Sequence, residues 1–130
     1  MVLVLRLGVG AVALLFLVMG AGFVTDPAGG AASLGLTPEG VHGLNTLRGD
    51  IAGLFVGSAL MLVLGLVRRE PIWLLAVAVL MAVIALGRLV GFVVDGAPAQ
   101  PTLVALGVEI FVTALLLVAA NKLPGSERLH

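Results

Sequence analysis

The chain contains four apolar stretches of about twenty residues each, and this pattern restricts its fold more than any other feature. They cover residues 3–24, 47–67, 72–94 and 102–120. Hydrophobic residues make up 61% of the sequence and charged residues only 11%, which is more apolar surface than a soluble domain of 130 residues can bury. A hydrocarbon core of about 30 Å takes roughly 20 apolar residues as helix, whereas barrel strands alternate over about 10 residues. We therefore predict an all-α membrane protein, with one four-helix transmembrane bundle over residues 1–130.

Basic residues predict the orientation of this bundle, because cytoplasmic loops carry the excess of Lys and Arg. With four spans, the two termini and the loop between the second and third helices share one side. The loops on the other side, residues 25–46 and 95–101, contain no Lys or Arg. We therefore expect both termini to be cytoplasmic, on the side that carries Arg6, Arg68, Arg69, Lys122 and Arg128.

Two proline-containing segments indicate helix starts. Pro71 follows a tight turn and suits the first turn of the third span, where a missing backbone N–H costs nothing. In the long loop 25–46, Thr37-Pro38-Glu39 has the pattern of a capping residue, a proline and an acid near the positive end of the helix dipole. We expect the second helix to start outside the membrane near residue 38.

A short motif occurs twice, each time where an apolar run ends: GFVTDP at residues 22–27 and GFVVDG at residues 91–96. The helix after each copy carries an early carboxylate, Asp50 in one and Glu109 in the other. This pattern is consistent with two parallel copies of one helix hairpin. The alternative is a chance coincidence among residues that are common in this chain.

The ionisable residues of the second, third and fourth spans gather near the outer ends of the helices. By helical rise, Arg88 lies roughly 9 Å and Glu109 roughly 10 Å inside the outer surface. An unpaired charge at the centre of a span costs about 2.5–3.5 kcal/mol, so we expect Arg88 to pair with Glu109. Arg48 is expected to approach Asp50 or the Glu109 carboxylate, since a guanidinium can bridge two carboxylates.

Small residues recur beside these charges. Gly49, Gly53 and Gly57 form a stripe at a spacing of four that Gly65 continues, and Gly87 and Gly91 flank Arg88. Such stripes let helix backbones approach closely in lipid. We therefore expect the second, third and fourth spans to pack closely around a charged site. Its predicted members are Asn45, Arg48, Asp50, Arg88 and Glu109, with His42 and Asp95 at the rim.

Composition excludes several classes of protein. The chain has no cysteine, so thiolate metal sites and cysteine nucleophiles are excluded. Its net charge is zero and no basic run occurs, so nucleic acid is not an expected partner. His42 has few acidic neighbours that could complete a metal site. We expect neither a metal nor a cofactor.

Three readings of the charged site remain open. The charges can form an ion-pair lock that fixes the bundle, a binding site for a polar headgroup, or part of a proton or ion path. The path is disfavoured because the inner parts of the last three spans carry no ionisable residue and no proline breaks a span. An enzyme that uses Glu109 or Asp50 as acid or base is also open, but nothing specifies a reaction.

The chain resembles an uncharacterised family in three features. They are the motif Asn45-x-x-Arg48-Gly49-Asp50-x-x-Gly53, the pair Gly87-Arg88 followed by Asp95-Gly96, and a lone Glu109 in the last helix. The family comprises small bacterial four-helix membrane proteins with a domain of unknown function and is distantly similar to the DoxX-like group. The resemblance covers essentially the whole chain. It implies a four-helix bundle in the bacterial inner membrane and supplies no activity. Some DoxX-like proteins are subunits of quinone-linked oxidoreductases, so the analogy also suggests an accessory role.

These observations together predict a small membrane protein with a charged pocket in the outer half of the bilayer. We expect that pocket to hold a lipophile with a polar headgroup, such as a lipid or a quinone. The competing expectations are an accessory subunit of a larger membrane complex and the enzyme described above.

Overall fold

The computed structural model describes residues 1–123 and residue 125, and this part consists of helices and their connections. The elements are α1 (Val2–Thr25), α2 (Pro27–Ser33), α3 (Gly40–Thr46), a π-helical turn (Leu47–Ile51), α4 (Ala52–Arg68), α5 (Pro71–Val94) and α6 (Gln100–Lys122). The π-helical turn joins α3 to α4, so Gly40–Arg68 is one continuous helix. Arg128, one of the basic residues used to predict orientation, lies outside the described residues.

Four helices are long and apolar enough to cross a membrane: α1, the continuous helix Gly40–Arg68, α5 and α6. Helix α1 packs chiefly on α4 and α5 chiefly on α6, and contacts of α4 with α5 and of α1 with α6 close the bundle. The predicted four-helix membrane bundle is therefore confirmed. We call its two ends the Asp95 end, where α5 finishes, and the Arg69 end, where α4 turns into α5.

The bundle has a small apolar core and a large apolar exterior. In each of the four apolar segments no more than 28% of the residues are buried. Most large apolar side chains therefore face outward, which is stable only if lipid surrounds the protein. The largest fully buried apolar side chains come from all four spans and are Val9, Leu62, Leu74, Val77, Val112 and Leu116.

Helices α1 and α4 come closest at Gly20. A Cβ atom at this position would lie 2.5 Å from Val56 Cγ2, 3.2 Å from Val56 N and 3.3 Å from Ala52 O. Two of these three atoms belong to the α4 backbone, which cannot move aside as a side chain can. A larger residue would have to displace Val56 or the α4 backbone, so glycine suits this crossing, and small residues let helices approach in this way.

The predicted glycine stripe does not have that role. A Cβ atom added to Gly49, Gly53 or Gly57 would meet nothing within 4 Å, and the same holds for Gly87. The expectation that these glycines bring the second, third and fourth spans together was wrong. The close contacts of α4 are made with α1 at Gly20 and, further along, with α5 at Gly65, where a Cβ atom would lie 2.9 Å from Leu74 Cδ2. Gly49, Gly53 and Gly57 face open space.

The π-helical turn explains how α4 presents its buried residues at this end. The Ala52 N–H donates to the Leu47 carbonyl five residues earlier. A π-helical turn brings residues five apart onto nearly the same face, whereas an α-helix rotates them apart. Leu47 and Ala52 are accordingly both buried. The extra residue in the turn also determines where the neighbouring Arg48 and Asp50 point.

At the Arg69 end, α4 and α5 are joined by a two-residue connection. Arg69 adopts a left-handed conformation with φ 56°, and the Glu70 N–H donates to the Gly65 carbonyl at 3.2 Å. Pro71 is in the first turn of α5, as predicted. The Trp73 indole N–H donates to Glu70 Oε2 at 2.7 Å, which fixes the start of α5 to this turn.

The long loop between the first two spans contains a helix that was not predicted, α2. Asp26 is its N-cap and accepts a hydrogen bond from the Gly29 N–H at 3.0 Å, and Pro27 is in its first turn. The helix start expected near residue 38 lies close to the observed one, at Gly40. Gly40 has a φ of +58°, a left-handed conformation that an α-helix interior cannot contain, so α3 begins there with Glu39 as its N-cap. Pro38 packs against Gly43 instead.

Candidate functional site

The strongest polar contact between spans joins α5 to α6. Arg88 Nε donates to Glu109 Oε1 at 2.8 Å and to Glu109 Oε2 at 2.9 Å. The Glu109 side chain is 10% exposed and that of Arg88 is 31% exposed. The two side chains were predicted to meet because their depths from the Asp95 end match, and the structure contains this contact.

The geometry of this ion pair uses one of the five N–H donors of the guanidinium. Both carboxylate oxygens accept from the single Nε–H, rather than one from Nε and one from a terminal nitrogen. Within the described residues, the Nη1 and Nη2 atoms of Arg88 donate no hydrogen bond to the protein. Four N–H donors of a fixed cation are therefore free to bind an acceptor outside the protein.

Helix α6 holds Glu109 in a defined position. Thr113, one turn further along α6, donates from Oγ1 to the Glu109 carbonyl at 2.7 Å. Glu109 lies on the buried face of α6 together with Val112, Leu116 and Ala119. The carboxylate is thus fixed by packing and then orients the Arg88 side chain.

Arg48 does not join this pair, although the sequence predicted that it would approach Asp50 or Glu109. Its Nε donates instead to the Val24 carbonyl at 3.0 Å. Val24 lies in the last turn of α1, where carbonyl groups have no partner within the helix and carry the negative end of the helix dipole. The Arg48 guanidinium supplies both a hydrogen-bond donor for this carbonyl and a positive charge for the helix end. It therefore links the continuous helix Gly40–Arg68 to the end of α1.

The remaining predicted site residues lie at the Asp95 end without forming a cluster. Asn45, Asp50, His42 and Asp95 are all exposed. None of these four side chains makes a hydrogen bond or an ion pair within the part of the chain that the structure describes. The expected gathering of two arginines and two carboxylates is therefore reduced to one pair, Arg88 with Glu109.

Neither of the two best-formed cavities in the described part of the chain is lined by Arg88 or Glu109. The larger, about 290 Å³, lies between α1 and α2. The smaller, about 10 Å³, lies at the Arg69 end beside Gly65 and Leu74. The predicted charged pocket is not one of them, so Arg88 offers its free donors on a helix face rather than inside a cavity.

The two copies of the repeated motif close the end of a span with the same backbone hydrogen bond. The Asp26 N–H donates to the Gly22 carbonyl at 2.8 Å and the Asp95 N–H donates to the Gly91 carbonyl at 2.7 Å. Each aspartate therefore closes the last turn of a span. The carboxylates of the following helices differ, because Glu109 is buried and paired whereas Asp50 is exposed.

The fold and this pair define the chain as a small multi-pass membrane protein whose spans are joined by an Arg–Glu contact. The chain belongs to the family described as domain of unknown function DUF4345, which matches residues 4–120. That match covers all four spans. Comparison with curated proteins finds no match, and comparison with solved structures finds none.

Proposed function

We propose that this protein binds a lipophile with a polar headgroup through the two terminal nitrogens of Arg88. The observation that carries the proposal is that Glu109 accepts from Arg88 through Nε alone. Both terminal nitrogens of Arg88 are left without a partner among the described residues. A phosphate oxygen of a lipid and a carbonyl oxygen of a quinone have the same chemistry here, since both accept hydrogen bonds from a guanidinium.

The position of Arg88 favours such an acceptor. Arg88 lies six residues before the end of α5, about 9 Å along the helix axis. If the apolar helices sit in a bilayer, its free donors are too deep for full hydration and too polar for hydrocarbon. A headgroup that accepts from them relieves this cost, and each hydrogen bond to a charged group contributes about 1.5–3 kcal/mol.

Glu109 acts as a positioning residue in this proposal. Both of its oxygens accept from Arg88 Nε, so its contacts in this arrangement are those of a group that orients the guanidinium. This favours binding over the alternative of a membrane enzyme with Glu109 as acid or base. The exposed Asn45, Asp50 and His42 are the groups that a headgroup extending to the surface would meet.

The proposed location is the bacterial inner membrane with both termini in the cytoplasm. The support is the distribution of basic residues: Arg6, Arg68, Arg69 and Lys122 all lie toward the Arg69 end of the molecule. The Asp95 end would then face the periplasm, and Arg88 would bind its ligand in the outer half of the bilayer.

Native mass spectrometry of the protein released from its own membranes in mild detergent tests the proposal. A small molecule bound at unit stoichiometry to the wild type, and lost from Arg88→Gln, would support it and identify the ligand as lipid or quinone. Arg48→Gln is the matched control, since it removes an arginine at the same end that is used to hold α1. A ligand retained equally by Arg88→Gln would overturn the proposal. A protein partner bound equally by all variants, with no small molecule, would identify an accessory subunit instead.

A further inference from the structure

A second polar-apolar site lies away from Arg88, in the groove of about 290 Å³ between the end of α1 and α2. Met19, Gly22 and Phe23 form its apolar floor. The volume is at the lower end of the roughly 300–1,000 Å³ found for small-molecule sites, so it suits a headgroup or a short stretch of acyl chain. The other lining residues are Thr25, Asp26, Gly30 and Ser33.

The walls of this groove are held in place by packing. The Phe23 ring stacks on Phe55 of α4, with ring centroids 6.0 Å apart and an angle of 6° between the planes. Gly30 of α2 also packs against Phe23, since a Cβ atom there would come within 2.6 Å of the ring. A site formed in advance loses less entropy on binding.

The polar groups of the groove can accept hydrogen bonds but have no hydrogen left to donate. The Thr25 hydroxyl donates to a carbonyl of the preceding turn at 2.9 Å, and the Ser33 hydroxyl donates to the Gly30 carbonyl at 2.6 Å. Asp26 Oδ1 accepts from the Gly29 N–H, while Oδ2 has no partner among the described residues. Asp26 is also the only charged residue among those that line the groove. The groove therefore presents one negative charge and several acceptors.

We propose that this groove binds the headgroup of a lipid that carries a primary ammonium group. An ammonium supplies the positive charge and three N–H donors that this set of acceptors lacks. A quaternary ammonium has the charge but no N–H, and an anionic headgroup would be repelled by Asp26. The apolar floor takes the carbon atoms next to the headgroup.

The repeated motif supplies matched controls for this site within the same chain. Gly91 and Asp95 correspond to Gly22 and Asp26 and close the same helical turn. The second copy is followed by Gly96 and a short connection instead of a helix, so it has no counterpart of the α2 wall. A substitution in the first copy therefore changes the groove. The same substitution in the second copy makes the same chemical change at a helix end that has no α2 wall.

Phosphatidylethanolamine and phosphatidylcholine are the probes, because they differ only in the methylation of the ammonium. Wild-type protein in nanodiscs with equal amounts of both is released and its bound lipid is counted by native mass spectrometry. We expect about tenfold enrichment of phosphatidylethanolamine, the value for roughly one charged hydrogen bond. Asp26→Asn, which keeps an oxygen to cap α2, should remove the enrichment.

Gly22→Leu is the second variant, since a Cβ at Gly22 meets nothing within 4 Å and the side chain would fill the groove. It should lower total bound phosphatidylethanolamine, whereas Gly91→Leu and Asp95→Asn should leave the wild-type value. Equal retention of both lipids by the wild type would overturn the proposal, as would the same loss in Asp95→Asn as in Asp26→Asn. Arg88→Gln should retain the enrichment, so the outcome is independent of the ligand proposed for Arg88.

Discussion

Asp26 and Asp95 close the final turns of α1 and α5 with the same backbone hydrogen bond, at 2.8 Å and 2.7 Å. Their side chains have different roles. Asp26 caps α2 through its contact with the Gly29 N–H, while Asp95 precedes Gly96 and a loop and its carboxylate makes no hydrogen bond within the described residues. The repeated motif thus encodes one helix end twice, and the residues after it decide whether a further helix follows.

The capping role of Asp26 gives a first prediction. Asp26→Ala should destabilise α2 by about 1 kcal/mol because the Gly29 N–H loses its acceptor, whereas Asp26→Asn should be nearly neutral. Hydrogen exchange of the α2 amides measures this local effect directly. Asp95→Ala is the control and should leave exchange in α5 and α6 unchanged. If the α2 amides exchange no faster in Asp26→Ala than in the wild type, α2 does not depend on its cap.

The crossing of α1 and α4 gives a second prediction. Gly20→Ala should lower stability by about 1–3 kcal/mol, because its methyl group would press on the α4 backbone at Val56 and Ala52. Gly53→Ala should be neutral or stabilising by up to about 1 kcal/mol, since its methyl group meets open space and alanine favours helix. Melting temperatures in the same detergent compare the two variants. A greater loss for Gly53→Ala would place the close helix contact at the stripe after all.

The Arg88–Glu109 pair gives a third prediction. Glu109→Gln leaves the Arg88 cation without a counter-charge and should cost about 1–3 kcal/mol, less than for a fully buried pair because Arg88 is partly exposed. Removing both charges in Arg88→Gln/Glu109→Gln should cost less than the sum of the single changes. Melting temperatures of the wild type, the two single variants and the double variant complete a double-mutant cycle. Strict additivity would show that the two side chains do not stabilise each other.

The predicted orientation can be tested cleanly because the chain has no cysteine. Ala97→Cys reports the Asp95 end and Asn121→Cys the Arg69 end, and both positions are exposed. In intact cells a membrane-impermeant thiol reagent should label Ala97→Cys only, with Asn121→Cys labelled after permeabilisation. The reverse pattern would contradict the orientation that the basic residues predict.

The sequence was sufficient for the spans because long apolar runs can be read without knowledge of packing. It was also sufficient for the Arg88–Glu109 contact, because the depth of each residue follows from its distance along the helix from the loop that joins α5 to α6. It was not sufficient for the loop between the first two spans. Asp26-Pro27 and Thr37-Pro38 carry the same signal of a capping residue followed by proline. Asp26 is the N-cap of its helix, whereas the N-cap of α3 is Glu39 rather than Thr37. Burial of Pro27 and Ala31 stabilises α2, whereas the left-handed Gly40 separates Thr37-Pro38 from α3.

The position of Arg48 could not be predicted for a different reason. The π-helical turn that carries Arg48 and Asp50 has no recognisable pattern in the sequence. It arises from the burial of both Leu47 and Ala52 against their neighbours. That one additional residue changes the direction of each side chain in the turn, and Arg48 then reaches the Val24 carbonyl instead of a carboxylate.

The measurement that tests the central claim most directly is ligand retention and thermal stability in Arg88→Lys. A lysine ammonium can still pair with Glu109 as a point charge but cannot offer the two terminal nitrogens of the guanidinium. If those nitrogens hold the ligand, the melting temperature should stay near the wild-type value while retention in native mass spectrometry falls about tenfold, the loss of roughly one charged hydrogen bond. Full retention by Arg88→Lys would contradict the claim and leave the pair with a structural role alone.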